Sequence, residues 1–127
     1  MPYDVSIDHE QKLVSSVWRG DIDEAVCVSY INDVWGIPEI GAYDELVDFR
    51  KVTTMDLSIE AIQRLVSRSR SVATPDAVAR SALVATGDIM YGLSRMYVSF
   101  RDMDDAHQRE WKVVDDIDEA RRWLETR

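Results

Sequence analysis

A single cysteine, Cys27, stands in a chain of 127 residues, which rules out an internal disulfide and speaks against a cysteine-based metal site. Histidine is nearly as scarce. His9 and His107 are the only two, each in a polar stretch, so no Cys/His cluster is available for a metal. Glycine occurs at 20, 36, 41, 87 and 92, too scattered to make a phosphate-binding loop. A Ser–His–Asp set can be drawn on paper from either histidine, but no nucleophile-elbow motif supports it. No apolar run approaches the length that spans a bilayer. The opening MPYDVSIDHEQK lacks the basic and apolar regions of a secretory leader. These shortages set the expectations: no catalytic residue, no metal, no cofactor, no integral membrane segment and a reducing cytoplasm.

What is present is an ordinary soluble composition, 46% hydrophobic and 31% charged, at a length suited to one domain over residues 1–127. The net charge of −9 argues against a nucleic-acid partner, whose footprint is basic. That charge is uneven. Residues 61–101 hold Arg64, Arg68, Arg70, Arg80, Arg95 and Arg101 against Asp76 and Asp88, six minus two, or +4. The rest of the chain therefore carries −13. A solvated helix face explains such a run most simply. The alternative is a basic patch facing an acidic partner or a second copy.

Tyr3, Val5 and Ile7 alternate with polar residues, as do Leu13, Ser15 and Val17, which predicts a β-hairpin ended by Gly20. Asp21 and Glu24 have capping-box spacing, so a helix is expected to bury Ile22, Val26, Tyr30 and Val34 and stop at Gly36. Cys27 falls on it as a small buried residue. GIPEIGAY is a connection. Leu46, Val47 and Phe49 read as a central strand, KVTTMD as a turn, and Ser58 as the cap of a helix burying Ile59, Ile62, Leu65 and Val66. SALVA, 81–85, reads as a second buried strand. Thr86, Gly87 and Asp88 lead into a long helix with apolar positions Ile89, Leu93, Met96, Tyr97, Phe100 and Met103. Gly92 inside it suggests a close backbone approach. Asp102, Asp104 and Asp105 make an acidic turn without calcium-loop spacing. Trp111, Val113 and Val114 form a last strand, and Asp116 with Glu119 opens a helix through Ala120, Trp123 and Leu124.

The order ββαβαβαβα predicts an α/β fold, a single mixed β-sheet flanked by helices with an antiparallel edge hairpin. If strands 46–49 and 81–85 are parallel neighbours, the turns at 50–58 and 86–88 lie side by side. Two helix N-termini then converge on a place suited to an anion or a partner's carboxylate. Arg50, Thr53, Thr54, Asp56, Ser58, Thr86, Asp88 and Tyr91 are the residues expected around it. Against this stands the simpler reading, in which Ser58 and Asp88 only cap their own helices, each by about 0.5–2 kcal/mol.

Two segments carry a resemblance. VDFRKVTTMDLS, Val47 to Ser58, resembles the central strand and loop of STAS-type domains, the group that includes bacterial anti-sigma-factor antagonists. TGDIMYGLSRMY, Thr86 to Tyr97, is similar to a stretch of the stand-alone SpoIIAA-like proteins, also described as STAS/SEC14-related. The resemblance implies a SpoIIAA/STAS-like fold, no intrinsic enzyme activity, and work done through a protein partner or a small ligand. In antagonist members a phosphorylatable serine follows the loop aspartate. Here Leu57 follows Asp56 and Ser58 comes one place later, so the phosphoserine switch does not transfer.

The leading expectation is a regulatory module acting by protein contact, as a homodimer or with an acidic partner. The alternative is a binder of a small anionic or lipid-like ligand, with its pocket between the helices near 59–66 and 88–103. The third, an enzyme built on Asp56 or Asp88 with Tyr91, has the least support.

Overall fold

The structure is a computed structural model in which residues 2–73, 78–103 and 109–126 are described. Its elements run β1 (Tyr3–Asp8), β2 (Leu13–Asp23), α1 (Glu24–Tyr30), β3 (Asp44–Asp56), α2 (Ile59–Val72), β4 (Arg80–Val84), α3 (Asp88–Asp102), β5 (Glu110–Val114) and α4 (Ile117–Glu125). A π-helical turn, Ile31–Trp35, continues α1, and a 3-10 turn, Pro38–Ile40, precedes β3. The order is the expected ββαβαβαβα.

The strands lie in the order β1-β2-β3-β4-β5, antiparallel at the first pair and parallel thereafter. Each crossover moves one strand along in the same direction. Crossovers of one hand must then fall on one face, and α1, α2 and α3 do pack together there. α4 follows the last strand and covers the other face. Two cores result. The larger includes Val14, Trp18, Tyr30, Val47, Leu65 and Leu83. The smaller joins Leu46, Ala82, Val84 and Val114 to Ala120 and Leu124 of α4. The central strands β3 and β4 feed both, which is why their apolar runs are continuous rather than alternating.

Several boundaries differ from the sequence reading. β2 does not end at Gly20. It passes through that residue at φ +74, with a register shift, and continues to Asp23. Ile22 is therefore a buried strand residue, and the helix cap is Asp23, whose Oδ1 accepts from the Val26 N–H at 3.0 Å. The buried face of β2 is Val14, Ser16 and Trp18, not Leu13, Ser15 and Val17. Alternation alone left the phase of this strand open, because Ser lies on both faces.

The expected KVTTMD turn is strand. β3 continues to Asp56, pairing with β2 from Lys51 onward, well past Asp48↔Val84 where its pairing with β4 ends. β-branched Val52, Thr53 and Thr54 suit that ribbon.

On α3 the buried positions are Met90, Ser94, Val98 and Arg101, while Ile89 and Met103 are both 74% exposed. The apolar residues alone pointed to a stripe turned away from the true one, because two of its buried positions are polar. Gly92 is exposed, and a Cβ added there would meet nothing within 4 Å, so the expected close approach does not occur. Gly36 has a steric reason instead: a Cβ would lie 2.3 Å from the Asn32 carbonyl oxygen, where the π turn closes. The acidic turn's Asp104 and Asp105, and His107, lie outside the described residues.

Candidate functional site

The most unusual chemistry in the molecule is a carboxylate inside the larger core. Glu45, near the start of β3, is 4% exposed. Three donors from three elements satisfy it. Tyr30 Oη donates to Oε2 at 2.6 Å, Trp35 Nε1 to the same oxygen at 3.0 Å, and Ser81 Oγ to Oε1 at 2.8 Å. The π turn after α1 places Trp35 for this contact, and such turns often re-aim a side chain at a site.

The network extends on both sides. Ser16 Oγ donates to Tyr30 Oη at 3.4 Å and accepts from Trp18 Nε1 at 2.9 Å. Arg109 Nη1 donates to Ser81 Oγ at 2.9 Å, and its Nη2 reaches the carbonyls of Gly41 and Tyr43 at 3.1 and 2.9 Å. Its guanidinium stacks over Trp35, 4.8 Å from the ring centroid. Buried charge is tolerated only when so bonded. Burial pushes the Tyr30 hydroxyl well above the usual phenol range, and the adjacent Glu45 charge pushes it further. Burial also lowers the Arg109 guanidinium, with Glu45 working the other way.

Beside this network lies a cavity of about 140 Å³ between the sheet and the helices. Its walls are mostly apolar: Phe49, Met55 and Leu57 at the β3 end, Ile62, Leu65 and Val72 from α2, and Leu93 from α3. Its charged lining residues among those described are Glu45, Arg101 and Arg109. Cys27 also lines it. Burial pushes this thiol up to about 12, with the Asp23 and Glu24 charges adding to the rise, so it is a protonated wall residue and not a nucleophile.

The residues expected from sequence sit elsewhere. Arg50 is exposed and grips Asp48, Nε to Oδ1 at 3.0 Å and Nη2 to Oδ2 at 2.8 Å. Desolvation acts to raise the Asp48 carboxyl, but the Arg50 bonds prevail and hold it below the usual range. Thr53 and Thr54 both donate to Asp21 Oδ1, at 3.1 and 2.6 Å, across the β2–β3 ribbon. Asp56 pairs in register with Asp23. Ser58 caps α2, its Oγ accepting from the Ala61 N–H at 3.1 Å. Thr86 and Asp88 are exposed, and the cap position of α3 is Gly87. Tyr91 borders a polar cleft with Lys112 and Glu119 near β5. The structure thus joins Thr53 to Thr54 through Asp21 and sets Tyr91 apart from them, on the far side of β4.

The clustered arginines bind neighbouring elements. Arg64 bridges α2 to Glu24 of α1 through two bonds of 2.7 Å, Arg68 donates to Asn32, and Arg70 donates to the Phe100 carbonyl of α3. Arg80 reaches the carbonyls of Trp123 and Thr126.

At the level of sequence, no family model matches the chain, and no curated protein matches it either. Solved structures do. The chain is similar to an uncharacterized protein of the DUF3478 family with a SpoIIAA-like fold from Shewanella loihica PV-4, with a TM-score of 0.59 and 15% identity over 96% of this chain and 93% of that one. It is also similar to the anti-sigma factor antagonist SpoIIAA in its unphosphorylated form, with a TM-score of 0.55 and 16% identity over 96% of both chains.

The fold is SpoIIAA-like.

Within this SpoIIAA-like frame Leu57 acquires a physical reason. It lines the cavity and packs on the larger core. A leucine there extends an apolar wall. Among the described residues of the domain, no helix is long and apolar enough to cross a membrane. Nor do those residues contain a group of three or more His, Cys, Asp or Glu placed to hold a metal ion.

Glu45, Trp35, Ser94, Arg101 and Arg109 are not among the site residues expected from sequence. One signal for Glu45 was available: a glutamate directly before Leu46 and Val47, inside a run otherwise fit for a buried strand. Charged residues in such positions are rare unless partnered. No comparable signal marked Arg109, which lies just before β5.

Proposed function

We propose that the chain, acting as one unit over residues 1–127, is a non-catalytic cytoplasmic module that holds a small molecule in the cavity between the sheet and helices α2 and α3. The observation that carries this reading is the make-up of that cavity, apolar walls with Glu45, Arg101 and Arg109 among its lining. Ligand sites are typically apolar hollows with a few convergent polar groups. Native mass spectrometry of freshly purified protein provides the test. A co-purifying small molecule, released on denaturation, is the expected result. An adduct-free protein whose melting temperature no small-molecule library shifts counts against it.

A second reading, regulatory contact with a protein partner or a second copy, draws support from the likeness to SpoIIAA, an anti-sigma factor antagonist. Its surface would be the exposed Arg50, Thr53, Thr54, Asp56 and Ser58, with Thr86, Asp88 and Tyr91 as a separate flank. Light scattering across a concentration series tests the self-association arm. A strict monomer at high concentration removes the homodimer.

A further inference from the structure

Of the charged residues lining the cavity, Arg101 is the one left incompletely bonded among the described residues, sharing a side-chain hydrogen bond with Tyr97. Glu45 accepts from Tyr30, Trp35 and Ser81, and Arg109 donates to Ser81, Gly41 and Tyr43. Arg101, on the buried face of α3, is 5% exposed and lies over the Trp111 ring, 5.1 Å from its centroid. Its Nε is buried without a hydrogen-bond partner among the described residues. A guanidinium withdrawn from water and left partly unbonded is costly. Tyr97 and Ser94 line the same cavity, one and two turns before Arg101 on α3, so three polar side chains share one face.

Charge and size then narrow what fits. With Glu45 counted against Arg101 and Arg109, the described lining carries a formal +1. One negative charge balances it, whereas a phosphate monoester near −2 does not. The volume of about 140 Å³ is close to that of an engineered apolar protein cavity of about 150 Å³ that admits benzene. A long acyl chain would have to extend out of it through its open side. The lining is rich in rings, Trp18, Tyr30, Phe49, Tyr97 and Trp111 among them.

We propose that the cavity binds a small aromatic monocarboxylate of about benzoate's size, its carboxylate on Arg101 and its ring among the aromatic walls. This inference rests on the small-molecule reading above and specifies the chemical class that it leaves open. The carboxylate gives the Arg101 guanidinium a charged partner at the cavity wall, and the ring fills space that the side chains leave empty.

The test uses the intact chain and four probes, benzoate, benzamide, laurate and inorganic phosphate, followed by calorimetry and thermal shift. Benzoate is expected to bind and raise the melting temperature. Benzamide, equal in shape but uncharged, is expected to bind about 10–100-fold more weakly, the range of one charge-assisted hydrogen bond. Laurate and phosphate are expected to give no shift. Arg101→Met should abolish the preference for benzoate over benzamide while leaving the ligand-free protein folded by near-ultraviolet dichroism, since the change removes an incompletely bonded buried cation. If benzamide binds as well as benzoate, the carboxylate assignment falls; if laurate binds best, the aromatic, benzoate-sized assignment falls; in either case the small-molecule reading stands. If no probe binds and no small molecule co-purifies, both fall. Should Arg101→Met fail to fold, the benzoate-to-benzamide ratio on the unaltered protein decides alone.

Discussion

Tyr30 donates its hydroxyl to Glu45 across 2.6 Å in the interior of the larger core, tying the end of α1 to the start of β3. The two residues are 15 apart in sequence: one ends a helix, the other sits at the entrance of a strand that pairs with β2 and β4. Removing the carboxylate leaves Tyr30, Trp35 and Ser81 without their acceptor. Glu45→Ala is expected to cost about 3 kcal/mol or more, and Glu45→Gln, which keeps the shape and one carbonyl, about 1–3 kcal/mol. Urea unfolding of the two variants checks the order. A Glu45→Ala protein as stable as the parent would mean that this network does not hold α1 to the sheet.

Two glycines are expected to respond to alanine with opposite signs. Gly92 is exposed in the middle of α3 with open space where a Cβ would go, so Gly92→Ala should stabilise by up to about 1 kcal/mol. At Gly36 the new Cβ meets the Asn32 backbone oxygen at 2.3 Å, and a backbone atom cannot step aside as a side-chain tip can. Gly36→Ala should destabilise by about 1–3 kcal/mol. Thermal melts of the pair decide it, and equal shifts of the same sign would contradict the account.

The contrast between Gly92 and Glu45 shows what was legible in the chain. Element order was legible, because Gly, Pro and capping residues punctuate the apolar runs, with side-chain caps at Asp23, Ser58 and Asp116. The strand phase of β2 and the face of α3 were not. A serine at 16 and an arginine at 101 occupy interior positions that hydrophobic periodicity counts as surface. The cavity network escaped for the same reason: its members come from α1, the π turn, β3, β4 and the approach to β5, and only the folded sheet brings them together. Thr53 and Thr54 misled in the other direction. Their composition reads as a turn, yet β-branching and a shared Asp21 acceptor keep them extended.

Cys27 should be inert in the native protein. Burial and the nearby Asp23 and Glu24 charges push its thiol up to about 12, against about 8.5 for a free cysteine, so the thiolate is suppressed by about three orders of magnitude at pH 8. Labelling with a chromogenic disulfide at pH 8 is expected to be slow in buffer and complete within minutes in guanidinium. Rapid native labelling at the rate of a free thiol would show that the wall of the cavity opens readily around Cys27.

Tyr30 and Tyr97 should ionise only when the fold opens. Burial raises both hydroxyls. The Glu45 charge adds to the rise at Tyr30, while at Tyr97 the Arg101 charge pulls the other way without cancelling it. The sign of the linkage follows. A phenol whose folded value lies above its unfolded value of about 10 holds its full stabilising effect below pH 10, and loses it as the pH climbs toward the folded value, because the unfolded chain releases its proton first. Stability should therefore fall on the alkaline side of pH 10. Absorbance at 295 nm, followed against pH in parallel with far-ultraviolet dichroism, should show a late phase from Tyr30 and Tyr97 that coincides with the loss of secondary structure. Tyr30→Phe and Tyr97→Phe should each reduce that late amplitude by one tyrosine. Tyr30→Phe should also remove the sharper part of the alkaline transition, since its hydroxyl is the one bonded to Glu45. Independent titration of all five tyrosines near pH 10, with the fold intact, would contradict the burial of both hydroxyls.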